Sequence, residues 1–393
     1  MRVLGISEKG FFIGAILSKW NGKFVIGLTG NIATGKSVVR KMLEHLGAYG
    51  IDADALAHRV IAKGAPGYLP VLSTFGNWML NEYAEIDRQK LGRLVFSDPD
   101  ALKLLEGIIH PFVDQAIDLI IQRARQGTIV IEAIKLLETD LAGACDSIWV
   151  TYSPEKLQLY RLMTKRNMSE ETAMKRIRLQ SSQDEKIGRA DYVIRNGDSF
   201  EETWRQVQAA WTSISPVSDK VPFPVHKPAL GELSVLRGRP SDSHSIAALI
   251  TRLSNGKLHL TSADVMAAFG EKAFLLLKAG RHLVGLAAWQ VENLVARTTE
   301  IYVDPLISLP EALRTLIVEV ESTSQDLQCE ASLLFLPSQL AGHTGIWKEL
   351  GYEQRQPQSL GIQAWQDAAK ESMPANTSLF FKQLRRDRVL HPI

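Results

Sequence analysis

The sequence predicts an α/β domain with a parallel sheet, followed by an α+β domain. Three observations carry this. A short apolar run, Phe24 to Leu28, leads into a glycine-containing turn and then into apolar residues at helical spacing. Short apolar strands alternate with helical stretches as far as Trp211, which is the signature of a doubly wound sheet. After a stretch with four prolines (Pro216, Pro222, Pro224, Pro228), hairpins and long helices replace that alternation. A chain of 393 residues is also too long for one ordinary domain.

Composition narrows the function classes. An apolar content of 45% and a charged content of 22% are those of a folded soluble protein. Forty-five basic residues against 43 acidic ones leave a net charge of +2, so no basic face for nucleic acid is implied. Cys145 and Cys329 are far apart and in no metal-ligand spacing, which fits a reducing cytoplasm. The apolar run Phe11 to Leu17 is too short to cross a membrane, which takes about 20 residues. Residues 1–22 read as a poorly ordered extension, and neither a membrane nor a nucleic-acid partner is expected.

The run KFVIGLTGNIATGKSVV, Lys23 to Val39, contains Gly30-x-x-x-x-Gly35-Lys36-Ser37 between a strand and a helix. That is the complete phosphate-binding P-loop pattern in its required setting. The two glycines let successive backbone N–H groups and a helix N-terminus face one anionic point. The expected nucleotide-binding residues are therefore Gly30, Asn31, Ile32, Ala33, Thr34, Gly35, Lys36, Ser37 and Val38. Lys36 would reach the outer phosphates of ATP and the Ser37 hydroxyl would hold Mg2+.

Downstream elements follow in order. The P-loop helix runs to Leu46 and is closed by Gly47. Ile51-Asp52-Ala53-Asp54 then ends a short strand in two carboxylates, either of which is a helix cap or a carboxylate beside the bound ligand. Helices are expected over Ala55–Ala62, Gly67–Phe75 and Arg88–Phe96, and His110-Pro111 reads as one helix ending and another beginning. Thr128–Glu132, Ser147–Tyr152 and Tyr192–Ile194 read as buried strands, the first delivering Glu132 to a strand end. Helices opening at Pro154-Glu155 and at Ser169 carry Arg161, Lys165, Arg166, Lys175, Arg176 and Arg178. These cations are either a solvated face or a lid over transferring phosphates. Phe200–Trp211 is the last helix of this half.

Taken together, the first half resembles the dephospho-coenzyme A kinase family over about Lys23 to Ile214. GLTGNIATGKS (Gly27–Ser37), IDAD (Ile51–Asp54), His110-Pro111, Leu136-Leu137-Glu138, Arg176-Ile177-x-x-Gln180 and Ala190-Asp191-x-x-Ile194-x-Asn196 carry the likeness. It implies a P-loop kinase with a helical lid that transfers the γ-phosphate of ATP to the ribose 3′-hydroxyl of dephospho-CoA. It also makes Asp54 the base or orienter for that hydroxyl, acting with Lys36, and makes Arg161 the lid arginine at the nucleotide. Three departures stand out. Asn31 and Ala33 occupy positions where the family often has glycine, Ile134 takes the place of a proline, and His58 that of an arginine. Another small-molecule P-loop kinase, or a protein that binds nucleotide without turnover, remain the alternatives.

Residues 215–230 read as a proline-rich linker, and residues 231–388 as the second domain. Strands are expected over Gly231–Arg237, Ala273–Lys278, Leu283–Val291, Thr298–Val303, Ala331–Leu336 and Ser378–Leu384, with helices over Ser241–Leu253 and Pro310–Thr323. This order resembles the GNAT acetyltransferase family, with Ile301–Pro305 at the end of its central strand and Trp347–Glu353 at its late helix and following strand. The glycine-rich segment that cradles the CoA pyrophosphate in that family is absent from Leu306–Ala312, where Pro310 removes a donor. Trp347 stands where a tyrosine often serves as acid, and an indole cannot protonate a thiolate. A degenerate GNAT-like module is therefore weighed above a working acetyltransferase that would make the chain bifunctional.

Overall fold

In the computed structural model, residues 19–214, 233–254 and 256–385 are described. The expected linker, 215–230, and residues 1–18 of the expected extension lie outside the described residues.

The first sheet is fully parallel. Its strands are β1 (Phe24–Thr29), β2 (Tyr49–Asp52), β3 (Thr128–Glu132), β4 (Ser147–Tyr152) and β5 (Tyr192–Arg195), in the spatial order β2-β3-β1-β4-β5. Both faces are covered, which is why the strands are apolar nearly throughout. Successive β1 residues separate into two layers: Val25 joins one apolar cluster with Ile51, Ile117 and Ile131, while Ile26 and Leu28 join another with Met42, Trp149 and Val207. The helices are α1 (Lys36–His45), α2 (Ala53–Val60), α3 (Tyr68–Phe75), α4 (Arg88–Ser97), α5 (Pro99–Arg123), α6 (Leu141–Ala144), α7 (Glu155–Arg166), α8 (Glu170–Arg178), α9 (Gln183–Gly188) and α10 (Phe200–Ile214).

Local chemistry sets their ends. Asp52 caps α2 by accepting from the Ala55 N–H, and Asp98 caps α5 through Asp100 and Ala101. Ser169 accepts from the Thr172 N–H to open α8. The helix break expected at His110-Pro111 does not occur: α5 is continuous over 25 residues with Pro111 inside it. Pro111 cannot donate to Gly107, but both residues are exposed, so water can take the freed carbonyl. Trp20, expected in the N-terminal extension, is only 6% exposed; it packs in the β2–β3 layer and its indole N–H donates to Asp118 at 2.8 Å.

The second sheet contains β6 (Leu233–Arg237), β7 (Ala273–Ala279), β8 (His282–Glu292), β9 (Val295–Val303), β10 (Ala331–Pro337), β11 (Glu353–Arg355) and β12 (Thr377–Gln383), in the order β11-β12-β10-β9-β8-β7-β6. All pairs are antiparallel except β9–β10, which run parallel from Val295–Thr298 against Ala331–Leu334. Helices α11 (Ser243–Leu253) and α12 (Ser262–Ala268) precede the β7–β8 hairpin, and α13 (Leu309–Asp326) makes the crossover between β9 and β10. Three more, α14 (Ser338–Ala341), α15 (Thr344–Glu349) and α16 (Gln363–Ser372), fill the far end. This is the α+β order expected for the second half, with α12 and α16 added.

The two halves touch. Leu294 and Leu327 of the second half pack into the apolar cluster around α2 and α5. The Tyr49 hydroxyl donates to the Leu327 carbonyl at 3.0 Å, and the Gln328 amide to the Ile120 carbonyl at 2.9 Å.

Candidate active site

The site forms at the carboxyl ends of β1, β2 and β3, where open parallel sheets place their ligands. β1 runs into the P-loop, and Gly35 sits at the start of α1 in the left-handed region, φ 96°. A Cβ there would lie 1.9 Å from Asn196 Nδ2, so only glycine fits. Gly30 (φ 149°) is equally enclosed, 2.5 Å from the Thr151 carbonyl oxygen by the same measure. Ala33 takes a left-handed φ of 59°, where a methyl group costs about 1–2 kcal/mol. Asn31, by contrast, is not among the positive-φ residues; its side-chain amide donates to the Ser181 carbonyl at 3.0 Å.

Surrounding elements grip this loop from outside. Ile32 packs on Leu162, Ala173 and Ile177 of the lid helices α7 and α8, and its N–H donates to Gln180 Oε1 at 2.7 Å. The Thr34 hydroxyl meets that of Thr151 at 2.7 Å. Arg161 donates to the carbonyls of Ala33 and Asn196 and to the Ser153 hydroxyl, each at 3.0 Å. Asn196 in turn donates to the Thr34 carbonyl at 3.0 Å. Gln180 and Asn196, which the sequence marked only as part of a resemblance, thus act as latches on the P-loop backbone. Val38 directs its side chain into the apolar layer beneath α1, leaving only its backbone for a ligand.

Inside the loop, Lys36 donates to the carbonyls of Gly30 (3.1 Å) and Asn31 (3.4 Å). Burial lowers its pKa; Glu132 and Asp54 oppose that, and Arg166 adds to it. The Ser37 hydroxyl donates to Glu132 Oε1 at 2.8 Å, while Arg40 Nε holds the other oxygen at 2.7 Å. Glu132 is buried at the end of β3 and belongs at the centre of the site. Its position at a strand end was legible; its partner Ser37 was not, because 95 residues separate them.

Asp52 and Asp54 divide the two roles that the sequence left open. Asp52 is the cap of α2. Asp54, in the first turn of α2, accepts the Ile134 N–H at 3.1 Å through Oδ2. Burial raises the Asp54 pKa, with the Ile134 bond and Lys36 pulling it down. A second lysine, Lys186 on α9, is buried and donates to the Ile134 carbonyl at 3.1 Å. Its pKa is lowered by burial and then by Lys36. An ammonium group whose protonation is depressed by a second cation favours an anion beside it. Lys186 escaped sequence reasoning because a six-residue polar helix shows no period. His110, by contrast, is exposed on α5.

A parallel sheet carrying a P-loop, a buried carboxylate next to it and an arginine-bearing helical lid define a P-loop phosphotransferase. The model of the dephospho-CoA kinase family matches residues 24–202. A dephospho-CoA kinase from Carboxydothermus hydrogenoformans is 41% identical over 186 residues, covering 47% of this chain and 90% of the relative. One from Aquifex aeolicus is 41% identical over 191 residues, covering 48% and 97%. The chain belongs to the dephospho-CoA kinase family. Among solved structures, a GNAT-family acetyltransferase from Staphylococcus aureus Mu50 is similar at 12% identity and TM-score 0.31, covering 39% of this chain and all of that one (100%).

Proposed function

We infer that the chain transfers the γ-phosphate of ATP to the ribose 3′-hydroxyl of dephospho-CoA, yielding CoA and ADP. Family membership carries the reaction, and the convergence of Lys36, Asp54 and Glu132 on the mouth of the P-loop supports the residue roles. Lys36 leaves the loop carbonyls and binds the transferring phosphoryl oxygens. Asp54 accepts the 3′-hydroxyl proton; its burial makes it a stronger base than an exposed aspartate. Lys186 and the P-loop N–H groups offset the remaining phosphate charge, and Arg161 keeps the loop in shape while lining its lid side.

Mg2+ fits the donor set. The Ser37 hydroxyl and the Glu132 carboxylate, 2.8 Å apart, offer hard oxygen to a cation that would draw charge from the phosphate oxygens. Among the described residues no group of three or more His, Cys, Asp or Glu could hold a metal unaided. Ser37 and Glu132 would hold such a cation together with the phosphate oxygens of ATP.

The second half is a degenerate GNAT-like module. The Leu306 N–H is spent on Asp304 Oδ1 and the Ile307 N–H on the Asp304 carbonyl, both at 3.0 Å, so neither faces outward to an anion. The Trp347 indole is buried and donates to the Leu340 carbonyl at 2.8 Å. A cytoplasmic location suits the reaction and the two free cysteines. Among the described residues no helix is long and apolar enough to cross a membrane.

ADP release with ATP, Mg2+ and dephospho-CoA tests the assignment. Stimulation by dephospho-CoA that Asp54→Asn abolishes is expected. Turnover indifferent to dephospho-CoA, or unchanged in Asp54→Asn, would overturn the acceptor or the base respectively.

A further inference from the structure

Helix α2, which carries Asp54, is only eight residues long. A helix of that length has no stability of its own and takes its position from what it packs against. One face is held by its own half, through Leu56 and Val60 in the apolar cluster. Its last turn is held by the other half. Arg59 is buried, and its guanidinium donates to Glu330 Oε2 at 2.9 Å and to the Asn293 carbonyl at 2.6 Å.

Both acceptors are built to be fixed. Glu330 has a side chain only 1% exposed, its N–H donates to the Leu294 carbonyl, and its own carbonyl accepts from Leu384. Asn293 and Leu294 form the β8–β9 turn with φ of 52° and 60°. Left-handed φ at both central residues is the geometry of a tight hairpin turn, but leucine reaches it only against strain. Leu294 is held there because its side chain is sunk among the residues around α2 and α5. The pair is thus a desolvated fork on a strained, docked turn, not a surface contact.

We propose that the second half is an intramolecular brace for the catalytic helix, with Arg59 and Glu330 as positioning residues that hold α2, and so Asp54, in register with the P-loop. The proposal rests on the kinase reading given above. It explains why a module with no working pyrophosphate cradle is joined to this kinase: its β8–β9 turn does the work. The same hairpin accepts from Lys41 of α1 at the Val291 carbonyl, 2.9 Å, so helix and P-loop are referenced to one rigid edge.

The test uses the full chain with Glu330→Gln, which keeps volume and removes the charge, and the double variant Arg59→Gln/Glu330→Gln, which removes both buried charges together. Two readouts separate the brace from the kinase assignment: steady-state kinetics, and hydrogen exchange of the 53–60 amides, which needs no substrate. In Glu330→Gln we expect faster exchange across α2 with α1 unchanged. We also expect kcat to fall roughly 10- to 100-fold, as a misplacement near 1 Å would cause, with KM for ATP within about twofold because the Lys41 contact is kept. The double variant should recover most of the loss. A kcat within twofold of the parent, or unchanged α2 exchange, would overturn the brace, as would KM for ATP rising as much as kcat falls. If the parent itself shows no dephospho-CoA-stimulated turnover, the kinase reading fails, and the exchange data still decide whether the second half holds α2.

Discussion

The bond from the Ile134 N–H to Asp54 Oδ2, 3.1 Å long, gives the sharpest handle on the proposed base. Proline has no N–H, so Ile134→Pro deletes this donor and nothing else that the nitrogen provides. The Ile134 carbonyl keeps its two partners, the Thr29 hydroxyl and Lys186, each at 3.1 Å. A hydrogen bond to a charged group contributes about 1.5–3 kcal/mol, and it favours the ionised carboxylate. Its loss makes the Asp54 proton harder to remove, so the acid limb of the kcat profile should move to higher pH by about 1–2 units. On that limb the variant would run at least about tenfold slower at equal pH, while the alkaline plateau stays within a few-fold of the parent. Ile134→Ala is the matched control, since it trims the side chain and keeps the N–H. The assay is kcat against pH for parent, Ala and Pro forms at saturating ATP and dephospho-CoA. If the Pro and Ala profiles superimpose, Asp54 is not the group whose ionisation limits turnover, and the argument fails.

Asp52 should respond to pH in the opposite sense from a paired surface carboxylate. Burial, with Glu132 adding to it, raises its pKa to about 6. A carboxyl whose folded pKa lies above its unfolded one adds stability as pH falls through the folded value and withdraws it above. Asp52→Asn keeps the α2 cap, because asparagine caps as well as aspartate. We expect it to be more stable than the parent by on the order of 1–2 kcal/mol at pH 8, with the advantage gone near pH 4, as read by urea unfolding at both. Ala33→Gly relieves the left-handed strain at φ 59° at the cost of a looser unfolded chain. A net gain of about 0.5–1 kcal/mol in thermal unfolding is expected.

The site was legible where chemistry is local and hidden where it is long-range. The P-loop could be read because four residue identities at fixed spacing state both a backbone path and a ligand. Strands β3 and β4 fall where their apolar runs end, at Thr128–Glu132 and Ser147–Tyr152, because a strand buried on both faces has no other way to be written. Pro111 misled, since proline ends most helices, yet here Gly107, whose carbonyl it frees, is an exposed residue. Lys186 and the Arg59–Glu330 pair were out of reach: the first sits on a helix too short to show a period, and the second joins residues 271 positions apart. Charged residues in a sequence read as surface by default, and only the fold reveals which are buried and paired.

The same contrast bears on what the second half can still do. Restoring a glycine at Pro310 would return a little freedom and one donor, yet the Leu306 and Ile307 N–H groups would remain tied to Asp304, itself engaged by Arg252 at 2.6 Å. An anion cradle needs several N–H groups turned to one point, so no single change recovers it. At the opposite end of the same sheet the picture reverses. There the β8–β9 turn accepts strain at Leu294 and buries a charge at Glu330, both costly unless the partner surface is always present. A free-standing module would have no reason to carry either feature. Their position against α2 is what the proposed brace requires of this half.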